Sequence, residues 1–261
     1  MTKEKYQIEE KSNYITILIL YDELKNYDKI LSEEIIDIDS HIDKFRYTRN
    51  IFISLNNVFD AIKSIKFNQD NHTVELTRTL KKELKFANHF RNRLSGHLCK
   101  NLIERAVQWD LTIFDSGLRN KEKIKIFLIY KTLIESGINS YIDENGVQKI
   151  FRTEIDLFYP PNANLFYQYL KNIVNLSIEW LFIAEKSILV NIKHYDNHDT
   201  RELSAIAAKT NFNLKEKSEF SYSKVECKNR LEHVIEELKK INADDEIVDF
   251  LKTTIEEIMI S

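Results

Sequence analysis

Between residues 88 and 98 the chain reads Asn-His-Phe-Arg-Asn-Arg-Leu-Ser-Gly-His-Leu. Here arginine, a polar amide, histidine and glycine crowd together between two strongly helical segments. An arginine can hold a phosphate in a bidentate fork and stays charged at any working pH. A histidine gives or takes a proton near neutrality. Arg91, Asn92 and His97 are therefore a minimal kit for cutting a phosphodiester without a metal. The plain alternative is a basic helix surface with a break in it.

The elements that must position this kit follow from periodicity. Leu80, Leu84, Ala87, Phe90 and Leu94 recur at helical spacings, which predicts a helix from about Thr73 into the motif. Asn71 or Thr73 is the expected cap. On an unbroken helix Arg91 and His97 would lie about 120° apart and converge poorly. Ser95-Gly96 is the expected interruption, since Gly inside a helix costs about 1 kcal/mol relative to Ala. Ser95 would then cap a second helix from His97 to about Trp109. A phosphate could meet the free N–H groups of its first turn together with Arg91 and His97.

Charge is unevenly spread. From Arg78 to Arg105 there are eight Lys or Arg (78, 81, 82, 85, 91, 93, 100, 105) against two Glu (83, 104). From Glu226 to Ser261 the balance is five Lys or Arg against ten Asp or Glu. The formal net charge of -3 is therefore a basic patch offset by an acidic tail. A concentrated basic region is what counterion release from RNA requires, although charge runs are usually solvated faces. Lys81, Lys82, Lys85 and Lys100 are the candidate backbone contacts. His89 and Arg93 join them, because with His97 they share a spacing of four.

Around this centre the composition is that of a helical protein. Of 261 residues, 43% are hydrophobic and only 4 are Gly and 2 Pro, fewer turn residues than strand-rich folds need. Glu4 to Asn26 predicts a buried helix around Ile15–Leu20. Lys44 to Lys66 predicts an amphipathic one, with Phe45, Thr48, Phe52, Leu55, Phe59 and Ile62 on its stripe. Lys121 to Ser136 and Leu165 to Ile192 are further helices, the latter long and largely buried. Ser223 to Ile241 and Asp244 to Met259 form a closing antiparallel pair. Asn145-Gly146 between partly alternating flanks signals one small β-hairpin near 141–151. Tyr159-Pro160-Pro161-Asn162 is the candidate boundary. Trp109 and Trp180 lie in apolar helical contexts that suggest packing.

Other chemistry is thinly supported. Cys99 and Cys227 form no CxxC pair, so a disulfide framework or cysteine zinc site is not expected. His194 and His198 have a zinc-compatible spacing but lack a zincin glutamate, and their neighbours favour a loop. No glycine-rich phosphate loop or Gly-x-Ser-x-Gly elbow exists. Neither metal nor cofactor is implied. The most apolar run, Tyr14 to Tyr21, falls far short of the roughly 20 residues that span a bilayer. With no apolar core at signal-peptide distance, a soluble cytoplasmic protein without membrane partners is expected.

Arg91-Asn92, four residues and then His97 resembles the signature of the HEPN superfamily of helical domains. In it an arginine, usually followed by Asn, Asp or His, is separated from a histidine by four to six intervening residues, five of them here between Arg91 and His97. The specific match covers about Leu84 to Trp109. The resemblance implies an all-α, multi-helix bundle at 1–159, with 160–261 a helical extension or part of the same domain. It further implies a metal-independent endoribonuclease, working as a homodimer whose two motifs meet at a two-fold interface. His97 would be general acid/base, Arg91 the phosphate clamp and Asn92 the orienting group. Such proteins often act as toxins or in phage defence, which suggests an antitoxin or regulatory protein as partner. Some members do not cut, so the alternative is a non-enzymatic helical module that binds RNA or protein.

Overall fold

The computed structural model describes residues 7–34, 36–194, 207, 210, 212–214 and 224–260. Its architecture is all-α, with eight α-helices and no strand among the described residues. The chain divides into two compact units, Ser12–Val190 and a second made of Met1–Lys11 with Asn191–Ser261. The division therefore falls after the two prolines rather than at them.

The larger unit is organised on a central helix. Helix α1 (Ile8–Ser32) buries Ile17, Leu20, Leu24 and Leu31. Its Glu23 Oε2 accepts from Ser54 Oγ at 2.6 Å, and Tyr21 stacks on Phe182. The expectation of a fully buried α1 does not hold: Ile15 is 57% exposed, because only one face of the helix meets neighbours. Helix α2 (Ile38–Ser64) begins at a capping box. Asp37 Oδ1 accepts from Ser40 N–H at 2.8 Å, and Ser40 Oγ accepts from Asp37 N–H at 3.0 Å. Two otherwise orphaned backbone donors are thus satisfied. Of the stripe read from sequence, Phe45, Thr48, Phe52, Leu55 and Ile62 are buried and Phe59 is half-buried.

Helices α3 (Asn71–Phe90), α5 (Glu122–Asn139) and α6 (Pro160–Leu189) surround α2. Phe52 of α2 stacks on Phe90 of α3 with ring centres 4.0 Å apart. Burying each such ring contributes about 1.5–3 kcal/mol. Gly137 of α5 has no side chain because Phe90 is there: a Cβ would lie 2.9 Å from Phe90 Cε2. The end of α3 that carries the motif is thus clamped from both sides.

Pro160 occupies the first position of α6, where a missing N–H costs nothing. Trp180 is fully buried and donates from Nε1 to Thr77 Oγ1 at 3.0 Å.

The hairpin expectation is corrected to a tight loop with one bridge, Ile142 to Gln148. The turn itself forms, with Gly146 at φ 77°. A ladder does not grow because Gln148 is buried and its Oε1 takes the N–H groups of Ile150 and Phe151, both at 2.6 Å. In the smaller unit, helices α7 (Lys224–Lys240) and α8 (Asp245–Ile260) pack together, burying Leu231, Ile235 and Val248. Gln7 binds the 191–193 segment, donating to Asn191 O and accepting from Lys193 N–H, each at 2.7 Å. The short helix expected at Glu202–Lys209 and residues 195–200 lie outside the described residues, save position 207. No helix among the described residues is long and apolar enough to cross a membrane.

Candidate functional site

Helix α3 carries the site, and its N-cap is Asp70 rather than Asn71 or Thr73. Asp70 Oδ1 accepts from both the N–H and the hydroxyl of Thr73, at 2.8 and 2.6 Å. The buried positions are those expected from spacing: Leu80, Leu84, Ala87, Phe90 and Leu94. Counting 100° per residue, Arg78, Lys81, Lys85 and Asn88 fall within an arc of about 80° on the opposite face. Lys81, Lys82 and Lys85 are exposed and have no ion pair among the described residues. Lys100 stands 3.8 Å from Glu104, and Arg78 3.7 Å from Glu75.

At Arg91 the α-helix gives way to a single π turn, Arg91–Ser95, closed by Gly96 N–H donating to Arg91 O at 2.7 Å. A π turn of this kind is one of the ways a helix ends, and here it ends α3. The break at Ser95-Gly96 is therefore present. The restart is not where the spacing suggested. The next helix, α4, spans Lys100–Trp109 with Cys99 at its N-cap. Ser95 caps nothing; its Oγ is buried without a partner. His97 lies in the link and not in a first helical turn. The reason is local: the wider π turn engages the Gly96 N–H, and the link then closes through Cys99 N–H to Arg93 O at 3.1 Å.

The motif side chains cluster around that turn. Arg91 donates from Nη1 to Asn92 Oδ1 at 3.0 Å, and Asn92 Nδ2 donates to Asn88 Oδ1 at 3.2 Å. The Arg91 side chain lies against Gly96, where a Cβ would come within 3.1 Å of Nε. Arg91 and Asn92 are exposed, and Arg91 has no carboxylate partner among the described residues. A guanidinium has five N–H donors in a fixed fork, so most of this one faces outward unused. His97 is exposed and makes no hydrogen bond among the described residues.

The two further residues drawn in by spacing go elsewhere. His89 is half-buried. Its Nε2 pairs with Ser140 Oγ at 2.9 Å and its ring sits 5.0 Å from that of Tyr141. Burial, with Arg93 and Lys149 nearby, pushes its pKa down to about 4. It packs as a neutral ring between α3 and the end of α5. Arg93 is exposed and leans toward Cys99, with Nη1 3.8 Å from Sγ. The N–H of Leu102 and this guanidinium lower the Cys99 thiol's pKa. The face shared by His89, Arg93 and His97 on an unbroken helix does not exist, because the helix is broken.

Two supports lie outside the residues singled out from sequence. Arg49 of α2 donates from Nη2 to Leu94 O at 3.2 Å, inside the π turn, while its Nε is buried without a partner. Asn88 orients Asn92. Asn88 could have been found as the residue four positions before Asn92; Arg49 carries no local signal. Trp109, expected to pack, is 43% exposed and instead donates from Nε1 to Glu135 Oε2 at 2.8 Å. Among the described residues no group of three or more His, Cys, Asp or Glu could hold a metal, and His198 lies outside them. No protein-family model, curated protein or solved structure matches this chain.

Proposed function

We propose that this chain is a HEPN-like, metal-independent endoribonuclease, acting as a homodimer in a toxin or phage-defence setting. The observation that carries the reading is the π turn. It presents an arginine with open donors, braced by Asn92 and Gly96, at the end of a basic helix face, with an unengaged histidine next in the chain. RNA would lie along Lys81, Lys82 and Lys85, and its phosphate would meet the Arg91 fork.

In the reaction the ribose 2′-oxygen forms a bond to phosphorus and the bond to the 5′-oxygen breaks. The 2′-hydroxyl proton passes to a base, and the departing 5′-oxygen takes a proton from an acid. His97 of one subunit would serve as base and the partner's His97 as acid. Arg91 would stabilise the charge that grows on the phosphate.

One observation favours the second reading, a non-enzymatic helical module that binds RNA or protein. Nothing among the described residues orients the His97 ring, whereas a catalytic base is normally held by a further group. The test is cleavage of mixed RNA in EDTA by wild type and His97→Ala. Products ending in a cyclic phosphate, made by wild type and absent from the variant, support the nuclease. Binding of RNA by both proteins with cleavage by neither supports the module.

A further inference from the structure

Helix α4, the turns that follow it and α5 enclose a cavity of about 690 Å3 that takes no part in the motif. Its walls are Ile103 and Val107 from α4, Ile113 and Phe114 from the first turn, and Ile129 and Leu133 from α5. Small-molecule sites are typically about 300–1,000 Å3 and join apolar walls to a few convergent polar groups. Here the polar lining is Arg119 and Lys125 together with Asp115, Ser116 and Thr132. Arg119 and Lys125 both border the cavity, and neither has a carboxylate partner among the described residues. Asp115 borders it too, but its Oδ1 accepts from Gly117 N–H at 2.6 Å within its own turn. The Thr132 hydroxyl is 3.3 Å from Asp110 Oδ2. Phe114 at the rim stays 69% exposed, a large ring with an open side.

We propose that this cavity binds a single-chain anionic amphiphile, an acyl carboxylate whose chain covers the apolar walls and whose head meets Arg119 and Lys125. The two halves of the site select jointly. A small inorganic anion would satisfy the cations and leave the walls wet. A neutral amphiphile would cover the walls and leave both cations unmatched. A polyphosphate would bring more charge than two cations balance and no apolar body. This site goes beyond the ribonuclease reading and does not depend on it.

The experiment is displacement of 1-anilinonaphthalene-8-sulfonate from the full chain by decanoate, below its micelle concentration, with decan-1-ol in parallel. Decanoate should displace the dye saturably with one site per chain. Decanol should be weaker by about fivefold or more, the scale of one well-placed charge interaction. Arg119→Gln with Lys125→Gln should weaken decanoate by a similar factor and leave decanol unchanged. Ile103→Trp, at a partly exposed position that tolerates size, should abolish both. Equal affinity for acid and alcohol would overturn the proposal. So would unchanged binding in Ile103→Trp with its helical circular dichroism intact. Binding only to phosphatidylglycerol vesicles, or a dimer that Ile103→Trp dissociates and decanoate leaves alone, would also overturn it.

Discussion

Two polar clusters on adjoining helices handle their hydrogen-bonding capacity in opposite ways. In α5, Glu135 is fully buried. Its Oε1 accepts from Leu157 N–H at 2.6 Å, and its Oε2 from Trp109 Nε1 at 2.8 Å, with Lys131 Nζ at 3.2 Å. Lys131 also stands 3.8 Å from Asp156 and over the Phe158 ring. Burial pushes the Glu135 carboxyl up, and the N–H donors and the ammonium pull it partly back. At the end of α3, Arg91 has one neutral side-chain partner and His97 has none among the described residues. A buried charge must be matched within the chain or the fold fails. An exposed charge carries no such obligation, so its open valences are available to something outside the chain. The first cluster holds α4, α5 and the 156–158 loop together; the second is what a ligand would find.

The largest expected effects lie at the open cluster. Arg91→Ala and His97→Ala should each lower cleavage by about 10²–10⁴-fold, the range for losing an acid–base or charge-stabilising group. Their unfolding free energies should stay within about 0.5 kcal/mol of wild type, as for exposed positions generally. Glu135→Ala should do the reverse. Removing one partner of a buried pair costs about 3–5 kcal/mol, while cleavage per folded molecule should hold. Urea unfolding followed by tryptophan fluorescence measures one quantity and RNA turnover the other. A His97 variant that unfolds, or a Glu135 variant that is stable and inactive, would break the comparison.

How much of this was legible beforehand depends on whether a feature is local. The stripe Leu80, Leu84, Ala87, Phe90 and Leu94 is legible because an amphipathic helix buries one face whatever it packs on. The break at Ser95-Gly96 is legible because glycine weakens a helix locally. The kind of break is not. A π turn is decided by which carbonyl the Gly96 N–H reaches and by Arg49, 45 positions away, holding Leu94 O. The restart at Lys100 follows from that choice, and with it the position of His97 outside any helix. Asp70, Asn71 and Thr73 are all competent caps, and the chain uses the first. The Asn-Gly turn was legible but not the inward rotation of Gln148 that stops its ladder.

His89 tests the comparison from between its two halves, since sequence spacing groups it with the candidate RNA contacts and the structure packs it against Ser140 and Tyr141. Its folded pKa is depressed to about 4 from the ordinary 6.5. Its contribution is therefore fully present above pH 6.5. As the pH falls from 6.5 toward 4, the unfolded chain takes up a proton that the folded ring refuses, and stability declines. Discounted for the solvent that still reaches the ring, the loss should be roughly 1–2 kcal/mol. In His89→Gln, which can keep a hydrogen bond to Ser140, this share of the acid sensitivity should vanish. Parallel denaturation at pH 7 and pH 5 measures it. Equal pH dependence in the two proteins would return His89 to the exposed, ligand-facing set.

The smallest effect per residue is expected along the approach to the site, where single charges sit in water. Lys81, Lys82 and Lys85 have no carboxylate to release among the described residues, so each could trade its counterions for a phosphate. Single-stranded RNA gives a salt slope of about −0.7 for each phosphate neutralised. Changing all three to Gln should therefore flatten the plot of log affinity against log salt by about 2, with affinity falling at low salt and converging on wild type at high salt. Thermal stability should barely move, because nothing among the described residues leans on these ammonium groups. Wild-type salt dependence in the triple variant would mean that RNA, if it binds at all, approaches Arg91 from another side. The open cluster would then be a site without the basic track leading to it, and the exposed charge on α3 would be solvated surface.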